Sequence, residues 1–363
     1  MTLGSMRRCI GSASYRTVIA GVILCLLASC KGNENSTLPS LQAKLDGASV
    51  SGLSSGAYMA GQFQIAYSSI VSGAALIAGG PYACAENVFA DALPGPGGAF
   101  LNLSKAMNGC MLNAIPSWPD PARLAERVHQ LETAGRIDPA EGLKADRIYL
   151  FSGTKDKTVV RAIVDSAATL YRDLGVPEDN IKLVSDIPAG HAFVTAGTGA
   201  SCGRTEAPYI VDCGYDQAAA LLTHIYGSVA PASSRPEGEF LLFDQREFTR
   251  GLDDAGLDDV GVAYIPPGCR NAPGCRVHVA FHGCAQNRAA VSDAFIRATG
   301  FARLADTNRL IVLFPQVKKS TVNPQACWDW WGYTGRDYLT RNGPQIVAVK
   351  RMLDRLAGRT PAS

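Results

Sequence analysis

Short apolar runs, each closed by glycine or a polar turn, alternate along this chain with stretches of helical periodicity, and that alternation narrows the fold. The runs cover 72–77, 147–151, 181–187, 240–243, 260–265, 277–281 and 310–314; the helical stretches cover 57–68, 122–132, 162–174, 216–225, 294–305 and 345–356. Runs with no polar face suit strands buried on both sides, and strands spaced by helices suit an open, mostly parallel sheet with helices on both faces. The expected class is α/β. Hydrophobic residues at 47% and charged residues at 18% supply the core such a sheet requires. Residues 84–120, rich in Pro, Gly and Ala, read as an excursion over the sheet, and 227–238 as a Pro/Ser-rich connector between halves of a single domain over 45–357. A net charge of +2, with no basic run interleaved with aromatics, argues against nucleic acid as a partner.

The N-terminus reads as an export signal. Arg7, Arg8 and Arg16 precede the apolar run 18–28, which is too short to span a bilayer. It ends in Leu27-Ala28-Ser29-Cys30, a sequence that resembles the lipobox of bacterial lipoproteins, in which Cys30 would be acylated and become the first mature residue. The alternative is an ordinary signal peptide over 1–30 with a chance cysteine. Residues 31–44 then read as a polar tether. The expected location is extracellular or periplasmic, including the outer membrane as a lipoprotein, with the lipid as the sole membrane contact.

Cysteine usage fits export. Beyond Cys9, Cys25 and Cys30, Cys84, Cys110, Cys202, Cys213, Cys269, Cys275, Cys284 and Cys327 form an even set. They admit roughly a hundred pairings; joining nearest neighbours gives Cys84–Cys110, Cys202–Cys213, Cys269–Cys275 and Cys284–Cys327. No CxxC or His-rich spacing suggests zinc, and no metal or cofactor is expected.

Gly52-Leu53-Ser54-Ser55-Gly56 follows the short run 48–50 and opens the helical stretch 57–68. That is the strand–turn–helix context of a nucleophile elbow: the glycines allow strand and helix to pack around a strained turn that projects the Ser54 hydroxyl. A serine nucleophile needs a base, and the base an orienting carboxylate. Asp156 lies on the loop after run 147–151, and His191 on the loop after run 181–187. In the chain order Ser, Asp, His of α/β-hydrolases these are the positions of acid and base. Asp146 and Asp186 are rivals for the acid but fall before or within strands. Of the other histidines, His129 and His224 sit in amphipathic helices and His278 inside a strand.

An oxyanion loop of the His-Gly kind normally precedes the serine. Here His282-Gly283-Cys284 follows it by more than two hundred residues. Runs 240–243 and 260–265 precede that segment, and a helix, run 310–314 and a last helix follow it. This is the usual first half of the fold placed second, and a circular permutation accounts for it. The backbone N–H groups of Ser55 and Cys284 then become the oxyanion donors, with the nucleophile strand near the N-terminus.

The segments GLSSGAYMA, GTKDKTV, AGHAF, FHGC and CWDWWGY, in this order, make residues 45–357 resemble the extracellular poly(3-hydroxybutyrate) depolymerases with a circularly permuted (type 2) catalytic domain, of the α/β-hydrolase superfamily. The resemblance implies hydrolysis of a short-chain polyester or its oligomers by Ser54, His191 and Asp156, with donors at Ser55 and Cys284 and aromatic residues along the subsites. Many members carry a C-terminal polymer-adsorbing domain. This chain stops about seven residues after its last helical stretch, so that domain is not expected, and amorphous polymer or soluble oligomers are the expected substrates.

Trp328, Trp330 and Trp331 cluster in one irregular segment. Burial is the default for tryptophan. A Cys284–Cys327 bridge would instead clamp the segment beside the oxyanion loop, and these indoles, with His282, become candidate substrate contacts. The same chemistry also fits a feruloyl, acetyl-xylan or other short-chain carboxylesterase. A reading of another class is a non-catalytic surface lipoprotein scaffold.

Overall fold

The computed structural model describes residues 36–87, 89, 93 and 97–359. The leader 1–30, including Cys30, lies outside the described residues. Eleven strands form among the described residues: β1 (Lys44–Leu53), β2 (Val71–Ile77), β3 (Arg147–Phe151), β4 (Ile181–Val184), β5 (Phe193–Thr195), β6 (Ala200–Ser201), β7 (Ile210–Asp212), β8 (Glu239–Asp244), β9 (Val260–Ile265), β10 (Arg276–Phe281) and β11 (Leu310–Phe314). The main sheet runs β4-β3-β2-β1-β10-β11-β9-β8. Strands β4 to β11 in that order pair in parallel, and β9 and β8 join antiparallel at the far edge.

Alternate residues of each central strand feed two apolar layers. Val50, Ala74, Leu76, Val277 and Val279 belong to one, with the helices α1 (Ser55–Ala66), α3 (Pro121–Thr133) and α4 (Arg161–Asp173) and the C-terminal helix Pro344–Ala357. Leu53, Ala75, Ile77 and Ala280 belong to the other, with α5 (Gln217–Tyr226) and the helix Phe301–Asn308. Strands buried on both faces explain why the sequence shows unbroken apolar runs. Helix α2 (Gly97–Cys110) lies within the 84–120 excursion and is fastened to Cys84 by a disulfide.

The first strand among the described residues is therefore at the centre of the sheet, flanked by β2 and by β10 from the far end of the chain. This is the arrangement a circular permutation produces. Buried His278 secures the β1–β10 register: its Nδ1 lies 2.7 Å from Ser49 Oγ and its Nε2 2.8 Å from Ser51 Oγ, both on β1. A slip by one residue would turn both serines to the opposite face.

Three sequence expectations change. Residues 36–43 are not a free tether: the Ser36 N–H donates to Leu242 O, the Leu41 and Ala43 N–H groups to Leu356 O, and Leu38 is buried. Their apolar side chains dock against the sheet edge and the last helix. The stretch 294–305 is two helices, Ala294–Ala298 and Phe301–Asn308, parted by Gly300 at φ 88°. A second small sheet, β5-β7-β6, follows the His191 loop.

All four disulfides are those expected: Cys84–Cys110, Cys202–Cys213, Cys269–Cys275 and Cys284–Cys327. Such bonds persist in oxidising compartments.

Candidate active site

From Ala48 to Ala66 every residue is buried except Ser54, which is partly exposed. Strand β1 delivers the chain from the sheet centre and α1 carries it straight back into the core, so only the turn between them meets solvent. Ser54 adopts φ 56° and ψ −119°, a strained conformation for a side chain with a Cβ. Both glycines of the motif are sterically required. A Cβ on Gly52 would collide with the Gly56 carbonyl and stand 2.8 Å from Ala57 N; a Cβ on Gly56 would stand 2.5 Å from His282 O and collide with Phe281 O. The second glycine thus lets the N-terminus of α1 press directly on the end of β10.

Asp156 and His191 come together from the ends of β3 and β4. Asp156 Oδ2 lies 2.8 Å from His191 Nδ1, while its Oδ1 accepts the Thr158 and Val159 amides at 2.8 and 3.1 Å. The carboxylate accepts the Nδ1 proton, which leaves Nε2 as the basic nitrogen. Gly153 lets the two loops touch, since a Cβ there would stand 2.8 Å from the Ala189 carbonyl carbon; the Lys155 N–H donates to Ala189 O at 3.1 Å. The His191 N–H donates to Thr205 Oγ1 at 2.8 Å. The rival Asp146 bonds Gln64 instead, in an apolar setting that pushes its carboxyl up to about 7. Because β1, β2, β3, β4 and β10 are parallel neighbours, Ser54, Asp156, His191 and Cys284 all leave the same end of the sheet, where sites of open α/β sheets form.

His282 does not reach a cleft. It is wholly buried, and the Val317 N–H donates to its Nε2 at 3.2 Å. Nε2 is therefore the acceptor, and Nδ1–H donates to Gly283 O at 2.8 Å. Burial pushes this histidine down to about 4, so it stays neutral. The Gly283 carbonyl and the Cys284 N–H share one trans peptide plane and point in opposite directions; holding the first aims the second away from the core. Among the described residues neither the Cys284 N–H nor the Ser55 N–H has a protein acceptor, whereas the flanking Gly283 and Ala285 amides donate to Gln286 Oε1 and Gln325 O.

The tryptophan expectation also changes. Trp328 has no exposed surface and packs edge-on against Phe281; its backbone N–H donates to Ser55 Oγ at 3.3 Å. It buttresses the elbow from behind and cannot wall a subsite. Trp330 stacks on Tyr58 at 4.1 Å, and Trp331 is 5% exposed. Asp329 organises this segment, a role sequence reading missed: its carboxylate accepts the amides of Trp331, Gly332, Tyr333 and Thr334. Elsewhere, a cavity of about 980 Å³ is lined by Glu86, Arg127, Arg136, Asp337 and Tyr338, among others, and by none of Ser54, Asp156, His191 and Cys284.

No protein-family model matches the chain. A poly(3-hydroxybutyrate) depolymerase of Delftia acidovorans is 37% identical over 346 residues, 94% of this chain, which spans 65% of that protein's length. A polyhydroxybutyrate depolymerase of Talaromyces funiculosus is 33% identical over 331 residues, covering 86% of this chain and 90% of that one. A solved PHB depolymerase variant complexed with an R3HB trimer matches the fold with a TM-score of 0.78 at 29% identity, over 90% of this chain and 100% of that one. With its elbow and its carboxylate–histidine pair carried on the same permuted sheet, the chain belongs to the poly(3-hydroxybutyrate) depolymerase family.

Proposed function

We propose that this protein is an exported serine esterase that hydrolyses poly(3-hydroxybutyrate)-type polyester or its oligomers through an acyl-enzyme. The observation that carries the reading is the Asp156–His191 pair, set at 2.8 Å on the sheet end where Ser54 alone between Ala48 and Ala66 meets solvent. Ser54 Oγ attacks the ester carbonyl as His191 Nε2 takes its proton, and Asp156 stabilises the imidazolium that forms. The Ser55 and Cys284 N–H groups stabilise the tetrahedral oxyanion, each worth about 3–4 kcal/mol when removed from a serine protease. His191 then protonates the departing hydroxyl of the polymer chain. Water, activated by the same nitrogen, releases the acyl group as a hydroxyacid. A homologous protein complexed with an R3HB trimer supports this substrate class. Trp330 and Trp331, which keep slight exposure, are the remaining aromatic candidates for the cleft wall. The disulfides support export, and lipidation of Cys30 remains part of the proposal.

The test is clearing of amorphous polyhydroxybutyrate suspensions, run beside p-nitrophenyl butyrate and methyl ferulate, with wild type and Ser54→Ala. Clearing by wild type and none by Ser54→Ala is expected. Activity on ferulate alone sinks the polyester reading, and failure to label with a fluorophosphonate probe sinks the serine mechanism.

A further inference from the structure

Gln286 is a buried neutral amide whose bonding atoms touch both halves of the catalytic constellation. Its Oε1 accepts the Gly283 N–H at 2.8 Å, one peptide before the Cys284 amide. Its Nε2 donates to Pro208 O at 3.0 Å and to Tyr209 O at 3.2 Å. The amide orientation is dictated by these neighbours, because a reversed group would set its oxygen against two carbonyls. The 205–209 segment that receives these bonds is the one that holds the base. Thr205 Oγ1 accepts the His191 N–H, and Tyr209 O also accepts the Phe193 N–H, two residues beyond His191. One planar side chain therefore spans from the oxyanion loop of the C-terminal half to the histidine loop of the N-terminal half.

We propose that Gln286 is a positioning residue for ester hydrolysis: it fixes the distance between the Cys284 oxyanion donor and the His191 base. The proposal rests on the serine-esterase reading given above. The chemistry required is specific, one acceptor and two donors on a rigid plane. Glutamate lacks the donors and methionine lacks both. Without the strut, the Gly283 N–H loses its acceptor, and the Pro208 and Tyr209 carbonyls lose the donor that ties them to the oxyanion loop. Displacing a catalytic group by about 1 Å is worth on the order of a hundredfold in rate.

The matched control is Gln245. It is equally buried and makes three backbone bonds, accepting the Gln316 N–H at 3.0 Å and donating to Asp258 O at 2.7 Å and Gln316 O at 3.0 Å; it bonds neither loop directly and reaches His282 only through the Gln316–Val317 peptide. Gln286→Met and Gln245→Met are compared on p-nitrophenyl butyrate and for inhibition by butylboronic acid, which forms a tetrahedral adduct on the serine. Gln286→Met is expected to lose on the order of 10- to 100-fold in kcat with KM nearly constant, and boronate affinity is expected to fall in parallel. Gln245→Met is expected to lose stability and far less of its kcat, since it bonds neither loop directly. Equal kcat in the two variants, or loss in KM alone, overturns the proposal. Should Gln286→Met not fold, Gln286→Glu, which keeps the acceptor but turns a carboxylate oxygen on the two carbonyls, is judged by the same criterion. Full activity in Ser54→Ala would overturn the underlying reading instead.

Discussion

Gly56→Ala adds one methyl group where the first turn of α1 meets the end of β10. The new carbon would lie 2.5 Å from His282 O and 2.8 Å from the Phe281 carbonyl carbon, with Phe281 O closer still. All three are backbone atoms at a strand end, so no side chain can swing aside. Restoring an ordinary contact requires α1 and β10 to separate by about 1 Å. Overpacking of this kind costs about 1–3 kcal/mol of stability. The same separation moves the Ser55 amide away from the Cys284 amide, which should cost on the order of 10- to 100-fold in kcat. On the same helix, a Cβ on Gly61 meets only Leu76 Cδ2 at 3.4 Å and Tyr171 Oη at 3.6 Å. Gly61→Ala should therefore keep full activity and gain up to about 1 kcal/mol from helix propensity. Urea unfolding and p-nitrophenyl butyrate turnover measure both. Wild-type kcat and stability in Gly56→Ala would refute the close approach on which the proposed oxyanion geometry depends.

Asp156→Asn should lower kcat on the order of a thousandfold or more. The amide oxygen will stay with the Thr158 and Val159 N–H groups, and the new NH₂ will face His191 Nδ1, driving the proton to Nε2 and abolishing the base. Turnover within tenfold of wild type would contradict that assignment. Removing the Cys284–Cys327 bridge as a double alanine variant opens a 43-residue loop and should cost about 4 kcal/mol on the chain-entropy estimate, seen as a lower denaturation midpoint; an unchanged midpoint would refute it. Asp146, raised by burial from 3.8 to about 7, makes folding progressively less favourable as pH climbs between those values, because the unfolded carboxyl ionises first. Asp146→Asn should therefore match wild type at pH 4 and exceed it by on the order of a few kcal/mol at pH 8. A gain independent of pH would exclude this cause.

The strands were legible because burial on both faces leaves apolar runs with clear ends; 147–151, 260–265 and 310–314 match their strands residue for residue. The elbow was legible because backbone collisions leave only glycine at 52 and 56. The position of Asp156 and His191 on loops after parallel strands brought the pair together on paper as it does in space. What local pattern cannot convey is which side of an element faces solvent in an irregular segment. Trp328 and His282 looked like cleft residues because they neighbour the site in sequence, yet both lie behind it. Gln286 carried no signal of its bridging role, since its two partners across the site lie 77 and 78 positions away. Residues 36–43 looked polar because their docking depends on Leu356, at the other end of the chain.

The central strand of the sheet is also the first of the described strands to be synthesised. Strand β1 can pair with β2 within a few tens of residues, but its other edge waits for β10, with Ser49 and His278 separated by 229 positions. Contacts of such separation close slowly, and an apolar strand edge left open meanwhile is prone to pair wrongly. Since Cys284 follows β10, a growing chain holds the proposed nucleophile Ser54 early, yet cannot bring the Cys284 amide beside it until most of its length exists. On the proposed mechanism chain order would thus act as a timer, hydrolytic competence arriving only once β10 has paired with β1.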